Sequence, residues 1–359
     1  MYLPAHGSNP KYLYQAYNLM MPKNIIDFSV NINPFGPPKK LKEVWDELFI
    51  DAIDYPDPYG KVLVSAICQC HHLHEEMVMI GNGAAELIYL LGQLFSYQRV
   101  MIVEPAFSEY RKACEAFGCE VSSFVLSDRE QWEIDISKIE SALKEADVLF
   151  FCHPNNPTGK VYPKEQLVSL LEMAKKYETY VVIDEAFADF CSSPVSIIPD
   201  IHRFPHLIVL RSMTKMYAIA GLRLGYLIAH PKIVSLLKAK QPHWSVNALA
   251  IKAGLICLQD EEHVKETRER IDQERKRMMD WLQRFGFRCS NSAVNFFLVQ
   301  DTGLVSMNSL ISYLLKRGLV VRHTSNFRGL DGRYIRVAVR KKEENNLLLA
   351  ALKEWKETC

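Results

Sequence analysis

Four short apolar runs, each ending abruptly in polar or turn residues, constrain this chain more than any other feature. They are VMIVEP (Val100–Pro105), DVLFFCHP (Asp147–Pro154), YVVIDEAF (Tyr180–Phe187) and LIVLRS (Leu207–Ser212), with helical stretches between them. Strands alternating with helices are the pattern of a largely parallel sheet joined by crossovers. Ligands in such sheets bind beyond the carboxyl ends of the strands. The first places to look for function are therefore Glu104–Phe107, His153–Gly159, Asp184–Phe187 and Arg211–Lys215.

The flanks read differently. The first 38 residues are rich in Pro, Asn, Gly and Tyr, and NINPFGPP (Asn31–Pro38) cannot form a regular helix, so this part is expected to be an extended arm. YPDPYG (Tyr55–Gly60) is a turn cluster ahead of a helix from Lys61 to about His72. Near the other end, Asp260–Phe285 is a charged helical stretch whose alternating signs suit a solvated face. NFFLVQ, GLVVRH and YIRVAVR then read as strands around a helix near Met307–Arg317, a compact α+β unit. At about 150 residues per domain, 359 residues make two domains. The expected division is an arm at 1–30 packing with the small domain, a large domain at 31–231, and a small domain at 232–359.

Composition excludes several classes. Lys plus Arg number 43 against 42 Asp plus Glu, so no global field favours nucleic acid or an anionic membrane. No apolar run approaches the roughly 20 residues that span a bilayer. Met1–Pro10 lacks the basic and then apolar order of a signal peptide, which makes the cytoplasm the expected location. Nine cysteines, an odd number scattered along the chain, argue for reduced thiols. Cys68, Cys70, His71, His72 and His74 are dense enough to suggest a metal, but a closed zinc site needs about four ligands and no CxxC or HxxxH pair completes it. No metal is expected.

Taken singly the strand-end residues are bland; together Asn156, Asp184, Lys215 and Arg223 fit a pyridoxal phosphate site. Such a site needs a lysine amine for the Schiff base, a carboxylate that keeps the pyridine nitrogen protonated, a donor at the phenolic oxygen, and hydroxyls, a cation and backbone N–H groups for the phosphate. Lys215, Asp184, Asn156, and the group Ser212, Thr214 and Arg223 can supply these in turn. GNGAAE (Gly81–Glu86) precedes a helix, and its small residues let backbone N–H groups approach a phosphate. Phe107 can stack on the ring.

HPNNPTG, IDEAF and RSMTKMYAIAGLRLGY resemble the signature segments of the fold type I aminotransferases, in the histidinol-phosphate aminotransferase branch, and the resemblance covers nearly the whole chain. HGSN, DFSVNINPFGPP, YPDPYG, EPAFSEY, WSVNALA and RYIRVAVR are more similar to the decarboxylating enzymes of that branch than to its transaminases. The resemblance implies an α/β fold with a large, mainly parallel-sheet domain and a smaller α+β domain. It makes Lys215 the cofactor lysine, Asp184 the pyridinium partner, Asn156 the donor to the phenolic oxygen and a neighbour of the substrate, and Phe107 the stacking ring. Ser212, Thr214, Arg223 and the backbone at Gly83 and Ala84 would hold the cofactor phosphate. Tyr55 would reach the cofactor of a neighbouring subunit, which implies a homodimer with shared sites. Arg336 would bind the substrate carboxylate with Asn33 nearby, and Arg322 the substrate phosphate, helped by His6 and the backbone of Gly7 and Ser8. Arg328, Arg333 and Arg340 read as solvent-facing.

Phe187 stands where the transaminases carry a tyrosine, which favours a lyase. The implied reaction is loss of CO2 from L-threonine O-3-phosphate, with the bond at Cα chosen by how the carboxylate is held and Lys215 returning the proton. The alternatives are a histidinol-phosphate aminotransferase, a decarboxylase of L-serine O-phosphate giving ethanolamine phosphate, and a cofactor-binding regulator without turnover. Such regulators usually carry an added DNA-binding domain, for which this chain has no spare length.

Overall fold

The computed structural model describes residues 3–358. The arm contributes β1 (Ile26–Asp27), and the large sheet is built from β2 (Val78–Asn82), β3 (Arg99–Glu104), β4 (Glu120–Val125), β5 (Val148–Cys152), β6 (Tyr180–Asp184), β7 (Leu207–Ser212) and β8 (Leu224–Ala229). Their spatial order is β2-β8-β7-β6-β5-β3-β4. β8 runs antiparallel to both its neighbours and the other pairings are parallel.

The apolar runs work because both faces of this sheet are covered. Val100, Ile102, Val148, Phe150, Val182, Ile208 and Leu210 pack into one core. Their sequence neighbours Met101, Val103, Leu149, Phe151, Val181, Ile183 and Val209 pack into the other. That is the strict alternation of side chains along a strand.

A second sheet follows, with β9 (Phe287–Cys289), β10 (Phe296–Asp301), β12 (Arg322–His323) and β13 (Ile335–Ala338) in the order β12-β13-β10-β9, all antiparallel. Between them β11 (Leu319–Val320) pairs in parallel with β1, tying the arm to this unit. Tyr14 adds a hydroxyl donation to Leu315 O at 2.8 Å. The stretch 318–323, expected as one strand, is split: Val321 separates β11 and β12, which join different partners.

The two helices that follow the expected boundary at residue 231 pack with the large sheet. Helices Pro231–Lys238 and Ala248–Leu258 lie on the large sheet and its flanking helices, burying Ile233, Val234, Leu237, Ala250 and Ala253 there. The helix Glu261–Arg284 packs against β9 and the C-terminal helix Lys342–Thr358, and also touches the large domain at Ala188–Phe190. Among the described residues no helix is long and apolar enough to cross a membrane. Cys68 is buried in the helix Lys61–His71, Cys70 is exposed, and His71 pairs with the Tyr226 hydroxyl at 2.9 Å. No group of three metal-ligating side chains gathers among the described residues.

Candidate active site

A cleft of about 410 Å³ opens at the carboxyl ends of β5, β6 and β7, walled on its far side by the arm and by β12 and β13. His6, Gly7, Ser8, Ala84, Phe107, Asn156, Asp184, Phe187, Ser212, Thr214, Lys215, Arg223, Arg322 and Arg336 all line it. Residues as far apart as His6 and Arg336, 330 positions, are brought together in it.

Asp184 is the last residue of β6, opposite Cys152 at the end of β5. Its carboxylate accepts from the Tyr110 hydroxyl at 2.6 Å and from Ala186 N at 2.9 Å. Burial pushes its pKa up, opposed by those two donations and by Lys215 and Arg211. A carboxylate so desolvated is stabilised by a cation placed against it, which is what a protonated pyridine ring provides.

Lys215 sits in the single helical turn Met213–Met216 just past β7. Among the described residues its amine makes no hydrogen bond or ion pair, and burial, with Arg223 and Arg336 nearby, lowers it to about 8 from 10.5. An amine in that range is a competent nucleophile near neutral pH.

The Ser212 and Thr214 hydroxyls are 2.8 Å apart on the same turn. Arg223 comes next to them with a left-handed backbone, φ +60°, a conformation that costs a non-glycine residue about 1 kcal/mol or more. Its guanidinium lies over Gly83, where an added Cβ would be 2.4 Å from Nη2. Gly83 itself has φ +75° and opens the helix Gly83–Leu94. Hydroxyls, a guanidinium and a helix N-terminus thus converge, the donor set that binds phosphate.

On the opposite wall Arg336 Nη1 donates to Asn156 Oδ1 at 2.6 Å and Nη2 to Ser29 O at 2.9 Å. Arg322 Nη2 donates to Ala5 O at 2.5 Å and to Asn326 Oδ1 at 2.7 Å. Arg322 Nη1, Arg336 Nε and Asn31 Oδ1 are buried with no partner among the described residues. Native interiors rarely leave such atoms unpaired, so the two guanidinium nitrogens, with the Gly83 cradle and the bare amine of Lys215, fit a bound cofactor and an anionic ligand beside it.

Three expected residues do not line this cleft: Gly83 lies behind the Arg223 guanidinium, and Asn33 and Tyr55 are engaged elsewhere. Asn33 turns its amide to Met216 O at 2.8 Å and Thr267 Oγ1 at 3.0 Å, while its Oδ1 accepts from Phe35 N. Its part is structural: Asn33 N also bonds Lys215 O at 3.0 Å, seating the loop on the lysine turn. Tyr55 lies outside the cleft, 83% exposed, its ring 5.1 Å from Trp244. Arg333 and Arg340 are also more engaged than expected: Arg333 pairs with Asp128 at 2.6 Å and Arg340 with Glu344 at 2.8 Å. Conversely, Tyr110, Asn31 and Glu109 belong to the site and were not singled out. The available signal is the tyrosine in EPAFSEY, which stands in the first turn of the helix Glu109–Ala116, six residues past the end of β3.

The model of the aminotransferase class I and II family matches residues 23–352. A threonine-phosphate decarboxylase of Salmonella typhimurium is 34% identical, the match covering 97% of this chain and 96% of that protein. The crystal structure of the histidinol-phosphate aminotransferase from Clostridium acetobutylicum superposes with a TM-score of 0.88 at 33% identity, covering 93% of this chain and 100% of that one. The L-threonine-O-3-phosphate decarboxylase from Porphyromonas gingivalis gives 0.83 at 27% identity, covering 93% and 100%.

Proposed function

This chain belongs to the class I and II aminotransferase family, and we propose that it is a pyridoxal-phosphate-dependent carboxy-lyase acting on L-threonine O-3-phosphate. The products are CO2 and (R)-1-amino-2-propanol O-phosphate, a building block for cobalamin. One observation carries the reading: Arg322 and Arg336 are Cα partners on adjacent strands, both buried, each with a nitrogen that has no partner among the described residues. Burial lowers the two guanidinium groups to about 10 and about 9. Buried, incompletely paired cations are costly, and a substrate with an anion at each end offsets that cost, since guanidinium forks match both carboxylate and phosphate.

The bound cofactor supplies a protonated ring that takes up the electron pair left at Cα. Asp184 holds the ring proton, backed by Tyr110. Asn156 uses its carbonyl for Arg336 and keeps its amide for the phenolic oxygen. Phe107 walls one face of the ring, while Ser212, Thr214, Arg223 and the backbone of Gly83 and Ala84 hold the phosphate. Arg336 would hold the carboxylate, and so decide whether the bond to it or the C–H bond is the one broken. Arg322 anchors the remote phosphate, with His6, Gly7 and Ser8 beside it, so that binding energy far from the reacting centre fixes orientation. Lys215, once its amine is free and protonated, would be the group that returns a proton to Cα after CO2 is lost.

Phe187 favours the lyase. It lines the cleft edge-on to Phe296, ring centroids 4.8 Å apart, and offers no hydroxyl to the phenolic oxygen. Tyr55 we assign to the partner's site in a homodimer: it stands out from the surface with Phe49, Ile50 and Ile53, an apolar stretch suited to a second copy. We place the enzyme in the cytoplasm.

The test is product identity. Holoenzyme given L-threonine O-3-phosphate alone should form 1-amino-2-propanol phosphate. L-Serine O-phosphate should react about 10- to 200-fold less efficiently for want of one methyl group. Glutamate formed from 2-oxoglutarate and histidinol phosphate at a higher rate would overturn the reading in favour of a transaminase.

A further inference from the structure

The arm crosses the cleft and is fastened on both sides. Pro4 O accepts from His323 Nε2 at 2.8 Å, and Ala5 O accepts from Arg322 and from Asn326 Nδ2 at 2.9 Å, all in the small domain. One residue later the contact passes to the large domain: His6 Nε2 is 2.8 Å from Glu109 Oε1, and the imidazole sits 5.6 Å from the Phe107 ring. Gly7 then presses against the chain at Ser29, where an added Cβ would be 2.6 Å from the carbonyl oxygen. The backbone on either side of His6 is therefore held, and Glu109 decides where the ring points.

Glu109 follows Phe107 by two residues and opens the helix Glu109–Ala116. Its carboxylate is largely covered, 15% exposed. The charged groups facing His6 are Glu109 and Lys112 from this helix and Arg322 from β12. Lys112 Nζ is 2.7 Å from Glu109 Oε1 and 3.5 Å from His6 Nε2. Burial, Lys112 and Arg322 all disfavour the imidazolium, and Glu109 alone favours it.

We propose that Glu109 is a positioning residue for the phosphate end of the substrate: it accepts the His6 Nε2–H, supports the positive charge of the ring, and leaves Nδ1–H to donate to an anion held by Arg322. Without that carboxylate, burial and the two neighbouring cations make the ring harder still to protonate, and an anion beside Arg322 loses a charged donor. The inference rests on reading the cleft as a site for a phosphorylated amino acid.

The experiment measures inorganic phosphate binding to the holoenzyme by calorimetry, alongside KM and kcat for L-threonine O-3-phosphate. Glu109→Gln should weaken phosphate about tenfold at about pH 6, the scale of one charge-assisted hydrogen bond. The loss should shrink at about pH 8, where a ring held below the ordinary imidazole value is neutral with or without the carboxylate. KM should rise in parallel while kcat stays within about twofold. Glu109→Asp should recover most of the loss. His6→Gln should match Glu109→Gln, and the double variant should be no worse than either, as for two groups acting as one. Lys112→Ala should leave phosphate binding unchanged or tighter, because Lys112 opposes the charge on His6.

Phosphate binding indifferent to Glu109→Gln, a loss equal at both pH values, or an equal loss in Lys112→Ala would overturn the proposal. The two readings separate cleanly. If wild-type enzyme releases no CO2 while Glu109→Gln still weakens phosphate, the decarboxylase reading falls and the role of Glu109 stands. Normal CO2 release with phosphate binding insensitive to Glu109→Gln gives the reverse.

Discussion

Replacing Gly83 by alanine tests the cofactor-phosphate cradle at its tightest point. The new methyl would be 2.4 Å from Arg223 Nη2 and 2.9 Å from Cζ, well inside the roughly 3.5 Å at which carbon and nitrogen rest in contact. The guanidinium must therefore retreat by about 1 Å, enough to break a hydrogen bond to a bound phosphate. Alanine at φ +75° also costs about 1 kcal/mol of backbone strain. The two effects separate in measurement. Strain should lower the melting temperature of the cofactor-free protein by roughly 2 °C for a chain of this size. Loss of a charged hydrogen bond is worth about 1.5–3 kcal/mol, so the Kd for pyridoxal phosphate should rise about 10- to 150-fold, read from visible absorbance during titration. At saturating cofactor kcat should recover, because Lys215 and Asp184 are untouched. A variant with the predicted melting loss but unchanged cofactor affinity would refute the assignment of Arg223 and Gly83 to the phosphate.

Three other outcomes follow from the same geometry. Phe187→Tyr should introduce a hydroxyl at the cleft, slowing CO2 release and raising keto-acid-dependent amine transfer; product ratios on one substrate check it. Tyr55→Ala should weaken cofactor binding without altering the sedimentation of the proposed homodimer. Mixing it with Lys215→Ala subunits should restore partial activity, since one site of each hybrid is then complete. In the cofactor-free protein, Lys215 titrates at about 8 when folded and at 10.5 when unfolded, so between those values the unfolded chain binds more protons. This residue's contribution to stability should therefore rise with pH across that window, and denaturant melts of wild type against Lys215→Met should show the difference.

The reacting end of the site was legible because local rules govern it. Apolar runs end where strands end, and Asp184, Asn156, Ser212 and Lys215 follow those ends directly. The arm was harder. Asn31 and Asn33 share one motif, yet only Asn31 reaches the cleft, because the Asn33 side chain folds back on Phe35 N and turns toward Thr267. Tyr110 and Asp184 are 74 positions apart, and no local pattern announces such a pair. β8 escaped notice since GLRLGY stood out for its arginine and glycines, and its antiparallel course is a choice made by the turn at Arg223. Sequence also does not say which of two cores the apolar residues of the helices Pro231–Lys238 and Ala248–Leu258 will join.

The central claim is that the two buried arginines and Lys215 direct loss of CO2 rather than exchange of an amino group. The most direct test is to count CO2 released per active site by the holoenzyme from L-threonine O-3-phosphate with no keto acid present. Many turnovers in wild type, and none in Lys215→Ala despite bound cofactor, are the expected result. A single burst that leaves the cofactor in its amine form, or undiminished turnover in Lys215→Ala, would contradict it.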